Sequence, residues 1–120
     1  MARCPIHELS CRDQQLSLIF EVNQNGDRVV GFSGSSVNDY IGAYYTGKLN
    51  NRQSPSAPIR YYAGKDWFNS PGGIVWGDYS FTSLDPNGLT IWTIQEYAET
   101  KYSSSDLNAY GTRICAITPF

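Results

Sequence analysis

Residues 72–99 read GGIVWGDYSFTSLDPNGLTIWTIQEYAE, and this stretch decides the fold. Two runs rich in β-branched and aromatic residues, 75–84 and 89–98, flank Asp85-Pro86-Asn87-Gly88. Pro presets one turn dihedral and Asn-Gly supplies positive φ, so the stretch predicts an antiparallel hairpin. Two acids, Asp78 and Glu96, interrupt its apolar runs among Trp76, Tyr79, Phe81, Trp92 and Tyr97. If the turn pairs Leu84 with Leu89, Thr82 faces Ile91, Ser80 faces Thr93, Asp78 faces Gln95 and Trp76 faces Tyr97. On the other face Tyr79 meets Ile94, and Glu96 lies over Gly77. Asp78 and Glu96 then share the end of the hairpin remote from the turn, and Asp78 sits on a strand covered on both faces.

The same signals recur outward from this hairpin. Runs at 16–22 and 28–33 flank Asn25-Gly26, a second hairpin signal. A strand is expected over 40–48. NNRQSPSAP, residues 50–58, is a loop because Pro55 and Pro58 bar a regular ladder. IRYYAG, residues 59–64, forms a short edge strand, and a last strand runs from 110 to 117 after the polar loop 99–109. Only the first fifteen residues have any helical character, so the fold class is all-β. Residues 16–63 thus give four strands and residues 75–117 give three, at a period of about 60 residues. Antiparallel four-stranded units repeated at this length are the blades of a β-propeller, with a layered sandwich or small barrel as alternatives. The expected organisation is an N-terminal segment, 1–15, able to donate a strand, and one domain, 16–120, of two blade-like units.

The last strand returns Arg113 to the rim that holds Asp78 and Glu96. One reading is an ionic network in which the acids hold a partly buried arginine. The other is a pocket in which Asp78, Glu96 and Arg113, with Trp76, Tyr79 and Tyr97, bind a polar ligand.

Composition narrows the classes. A chain of 120 residues suffices for one ordinary domain, and nine Tyr, 11 Gly and 6 Pro favour strands and turns. A net charge of −2 with nine scattered Lys and Arg leaves no footprint for nucleic acid. No apolar run is long enough to span a bilayer as a helix. The start, MARCPIHELSCRDQQ, lacks the apolar core of a signal peptide, which leaves localisation open: cytoplasmic as the chain is written, secreted if a leader precedes it. Cys4, Cys11 and Cys115 cannot all pair within one chain; free thiols are the simpler reading and a Cys4–Cys11 bridge its rival. His7 between them fits no zinc spacing, so neither metal nor cofactor is expected.

WGDYSFTSLDP, IWTIQEYA and GTRI, in that order, resemble the C-terminal blades of bacterial sialidase-like β-propeller proteins, and VVGFSGSS with YIGAYYTGKL fits the preceding blade. The likeness covers roughly residues 16–117. It implies a ligand face formed by loops entering the innermost strand and joining the second and third, where Asp78, Glu96, Arg113 and the 98–110 loop would fall, with 34–40 as their counterpart in the first blade. The Ser-x-Asp-x-Gly-x-Thr-Trp box of true sialidases is absent, SLDPNGLTIW matching it only loosely. Only Arg113, Tyr97 and Glu96 are available for the arginine and Tyr/Glu roles of such an enzyme, and fold does not carry activity with it. The expectation is a non-enzymatic, lectin-like propeller module that binds a glycan or other small polar ligand and is completed by homo-oligomerisation. The alternatives are a sialidase-like glycoside hydrolase fragment with Asp78 and Glu96 as acid and base, or a structural product with no ligand.

Overall fold

The computed structural model describes residues 19–68, 76–101 and 109–119. Their seven strands form two antiparallel sheets and no helix. The first sheet contains β1 (Ile19–Val22), β2 (Arg28–Gly34), β3 (Gly42–Lys48) and β4 (Ile59–Tyr62), in that spatial order. The second contains β5 (Phe81–Leu84), β6 (Ile91–Ala98) and β7 (Tyr110–Ile117). Each is a meander of chain-adjacent strands, and neither closes on itself. The all-β class and the division into four strands then three agree with the sequence reading. Cys4, Cys11, His7 and the proposed donor segment 1–15 lie outside the described residues.

The first hairpin has the loop that its flanking runs bound, and the second has a longer loop than the expected tight turn. In the first, Val22 pairs with Arg28 and leaves a loop over 23–27. Asn23 closes it, its Oδ1 accepting from the N–H groups of Asn25 (2.9 Å) and Asp27 (3.0 Å). In the second, Leu84 pairs with Ile91 instead of Leu89, leaving 85–90 as the loop. Asn87 Oδ1 accepts from the N–H groups of Leu89 (2.8 Å) and Thr90 (2.9 Å), while Asp85 Oδ1 accepts from Asn87 N–H (2.9 Å). Short polar side chains take backbone bonds that a ladder would otherwise have used. Only the glycines, Gly26 (φ 82°) and Gly88 (φ 73°), adopt positive φ in these loops. Because the register of the second hairpin moves by two residues, the paired side chains of β5 and β6 keep their expected faces.

The sheets stack with β2 and β3 over β6 and β1 over β5. Val29 and Ile91 share the layer between the sheets with small and polar groups. Gly31 of β2 lies against Thr93 and Gln95; a Cβ there would stand 2.0 Å from Thr93 Oγ1 and 2.5 Å from Gln95 Nε2. Ser33 Oγ donates to the Glu96 carbonyl across the layer (2.7 Å). Backbone bonds tie both ends: Gln24 N–H to Gly88 O (2.9 Å) at the loop end, Ala98 N–H to Ile41 O (2.8 Å) and Lys65 N–H to Ala98 O (2.8 Å) at the other.

Candidate functional site

The rim remote from the two loops is where sequence reasoning placed the site, and the structure reassigns most of its residues. Chain 76–80 does not continue β5. Gly77 has a φ of 97° and Ser80 N–H bonds Gly77 O (3.3 Å), a turn that takes these residues off the ladder. The Glu96 carboxylate, 3% exposed, accepts from Gly77 N–H (2.8 Å) and Tyr79 N–H (3.1 Å), which holds that turn onto β6. This acid interrupts an apolar strand because it supplies acceptors for backbone donors that have left the sheet. Asp78 is exposed at the turn's tip, not covered on both faces as expected. Trp76 is 6% exposed and packs edge-on against Phe68 (4.7 Å between centroids), so it offers no platform.

The expected ionic trio does not form. In the β6–β7 register Glu96 faces Thr112 and Gln95 faces Arg113, so Glu96 and Arg113 leave the sheet on opposite faces. Arg113 turns toward β4. Its Nη2 donates to Tyr62 Oη (2.9 Å), and its guanidinium carbon lies 4.1 Å from the Tyr62 ring centre. A bulge in the β3–β4 register makes this possible. Ala43 pairs with Tyr62 and Tyr44 with Arg60, leaving Tyr61 as the extra residue. Such an insertion re-aims neighbouring side chains. Both tyrosines reach β7: Tyr61 Oη donates to Arg113 O (3.2 Å), and Tyr62 receives the guanidinium.

Around Tyr62 a single network assembles. Its ring lies 4.4 Å from that of Tyr97. Tyr97 Oη donates to Glu99 Oε2 (2.6 Å), and Lys65 Nζ reaches Glu99 Oε1 at 3.1 Å. The Tyr97 hydroxyl, the Thr100 amide and Lys65 hold the Glu99 carboxyl well down, at about 2. Burial, and then Glu99, push the Tyr97 hydroxyl up to about 12. Arg113 and then Lys65 lower Tyr62, because both donate to its oxygen. At neutral pH the cluster therefore presents an ionised carboxylate, two cations and a polarised phenol in mutually fixed positions. On the opposite face Tyr79 stacks on Tyr110 (5.8 Å, 10°), beside exposed Asp78.

Of the six residues expected at a site, Tyr97 and Arg113 belong to this network, Asp78 and Tyr79 to the opposite face, and Glu96 and Trp76 to the buried support. Sequence reasoning missed Tyr62, Lys65 and Glu99, since no hairpin register links β4 with β6. The Tyr61-Tyr62 pair on a short edge strand was the only available signal. Among the described residues no group of three His, Cys, Asp or Glu could hold a metal ion. An open cleft of about 330 Å³ at the loop end, lined by Asn25, Asp27, Leu49, Asn50, Asn51 and Pro119, contains no aromatic side chain. No protein-family model, curated protein or solved structure matches this chain.

Proposed function

We propose that the chain is a non-enzymatic, lectin-like carbohydrate-binding module, its two sheets being consecutive blades of a sialidase-like β-propeller completed by further copies. The supporting observation is the Tyr62–Lys65–Tyr97–Glu99–Arg113 network. Sugars are held by hydrogen-bonding groups fixed beside apolar ring faces, and this cluster holds donors and acceptors in place around the half-buried Tyr62 ring, with Tyr97 buried behind it. Sequential antiparallel meanders stacked face to face are what adjacent blades require. The hydrolase alternative would set two carboxyls about 5 to 9.5 Å apart across a bound sugar. Glu96 commits both oxygens to backbone amides, which leaves Asp78 without the partner assigned to it.

A glycan array probed with the purified chain, run beside a panel of chromogenic glycosides, tests the reading. Binding to a subset of glycans without release of chromophore is expected. Arg113→Ala and Lys65→Ala should each weaken that binding at least about tenfold with the circular dichroism spectrum unchanged. A well-folded protein that binds no glycan sinks the proposal, and turnover of a glycoside replaces it with the hydrolase.

A further inference from the structure

The two sheets carry large apolar side chains on their outer faces as well as between them. Between them lie Val29 and Ile91 with Gly31, Ser33, Thr93 and Gln95, while the outer face of β5–β7 sets Phe81, Ile94 and Ile114 in one cross-strand row. The next row is Ser83, Trp92 and Ala116. Phe81 is 61% exposed, Ile114 64% and Trp92 43%. Within these rows there is no charged residue, and the Glu96 carboxylate beyond them is already capped. The outer face of the first sheet shows a matching feature: Phe20, 67% exposed, pairs with Val30 beside the stacked Phe32 and Tyr44. A sheet that also points large apolar groups outward is suited to being covered on that side as well.

Charge selects what covers it. Arg28 and Lys48 face each other across β2 and β3 and edge the first outer face at the loop end. Asp85, accepting from the Trp92 indole (2.8 Å), edges the second outer face. Its loop is bonded to the first loop through Gln24 N–H and Gly88 O, so both edges lie at one end of the molecule. Two copies laid side by side with the same end up bring Arg28 and Lys48 of one against Asp85 of the next, and apolar rows against Phe20 and Val30.

We propose that copies of this chain assemble head to tail, the outer face of β5–β7 of one packing on the outer face of β1–β3 of the next. At ~150–250 Å² for a large side chain, the exposed parts of Phe81, Trp92 and Ile114 offer roughly 300–400 Å² of apolar surface. A standard interface of ~800 Å² per partner is only a little more than half apolar, so this centre has the required size. The contact is heterologous, each copy using two different faces, and it generates a ring where the rotation closes. This inference deepens the oligomer named above and rests on its two-blade reading, not on glycan recognition, which succeeds or fails in a separate assay.

Native mass spectrometry and light scattering on the 120-residue chain at ~10–100 μM should show an oligomer. Phe81→Asp with Ile114→Asp removes one face, and Phe20→Asp removes the other. Each variant alone should be monomeric, and mixing the two should give 1:1 dimers, because each retains the face its partner lost. A monomeric parent overturns the proposal. So does a Phe20→Asp protein that self-associates as well as the parent, since that would place the contact between two copies of the second sheet. A mixture that stays monomeric, both variants being folded by circular dichroism, overturns it too. If the aspartates unfold the chain, Phe81→Thr and Phe20→Thr keep strand-forming side chains. Each should then raise the dissociation constant at least about tenfold, and an unchanged constant overturns the assignment.

Discussion

Glu96 and Asp78 show how little a residue type says about its role. Both are acids in the same apolar stretch, yet one carboxylate is buried on two amides and the other points into solvent. Removing a buried acceptor leaves its donors unsatisfied, at about 1–3 kcal/mol, whereas an exposed acid with no such bonds changes stability by no more than about 0.5 kcal/mol. Glu96→Ala should therefore lower the urea midpoint by an amount worth about 2–3 kcal/mol at unchanged m-value, and Asp78→Ala should leave it in place. Tyr62 supplies a second prediction at this scale. With Arg113 and Lys65 donating to its oxygen, it ionises below the ordinary tyrosine value. In a spectrophotometric titration, the difference between the parent and Tyr62→Phe should fall below pH 10, and Arg113→Met should move it upward. A Tyr62 transition at or above pH 10 in the parent would contradict the network.

Strands and loops here are shaped by close approach more than by bulk. Gly31 lets β2 settle onto β6, where an alanine methyl would collide with Thr93 and Gln95 side chains. Overpacking of this kind costs about 1–3 kcal/mol. Gly31→Ala should destabilise by that amount in denaturant unfolding. Thr93→Ala, although it loses the Thr82–Thr93 hydroxyl bond (3.1 Å), should offset part of the cost when the two are combined. A double-mutant cycle showing strict additivity would mean that the methyl is accommodated elsewhere. Both loops were legible as turns from their Asn-Gly pairs, and the first also in length, but the second was not. Asn87 diverts backbone donors of Leu89 and Thr90 that a register count assigns to the ladder, and that diversion depends on side-chain geometry.

At the scale of the molecule, the Glu99 network ties the segment after β4 to the segment after β6. Held at about 2 when folded against an ordinary 4.5, Glu99 contributes stability that is complete above pH 4.5 and disappears as the pH falls toward 2. Tyr97 acts with the opposite sign: raised to about 12 from 10, it contributes fully below pH 10 and loses that contribution as the pH rises to 12. Urea midpoints measured from pH 6 down to 2.5 should fall for the parent, and Glu99→Gln should flatten part of that slope. An identical slope in both proteins would place the acid sensitivity in other carboxylates.

Local chemistry in the chain determined the all-β class, the division into four strands and three, and the face each strand residue presents. Periodicity and turn residues are short-range, and a two-residue register slip preserves every face. The partners of the charged groups were a tertiary matter. Whether Glu96 meets Arg113 or Gly77 depends on where residues 76–80 leave the ladder, and whether Arg113 meets an acid or Tyr62 depends on a bulge at Tyr61 in the other sheet. The hairpin register already laid Glu96 over Gly77, 19 residues away, but Arg113 and Tyr62 are 51 residues apart in different sheets, a separation over which no local pattern in this sequence specifies a contact.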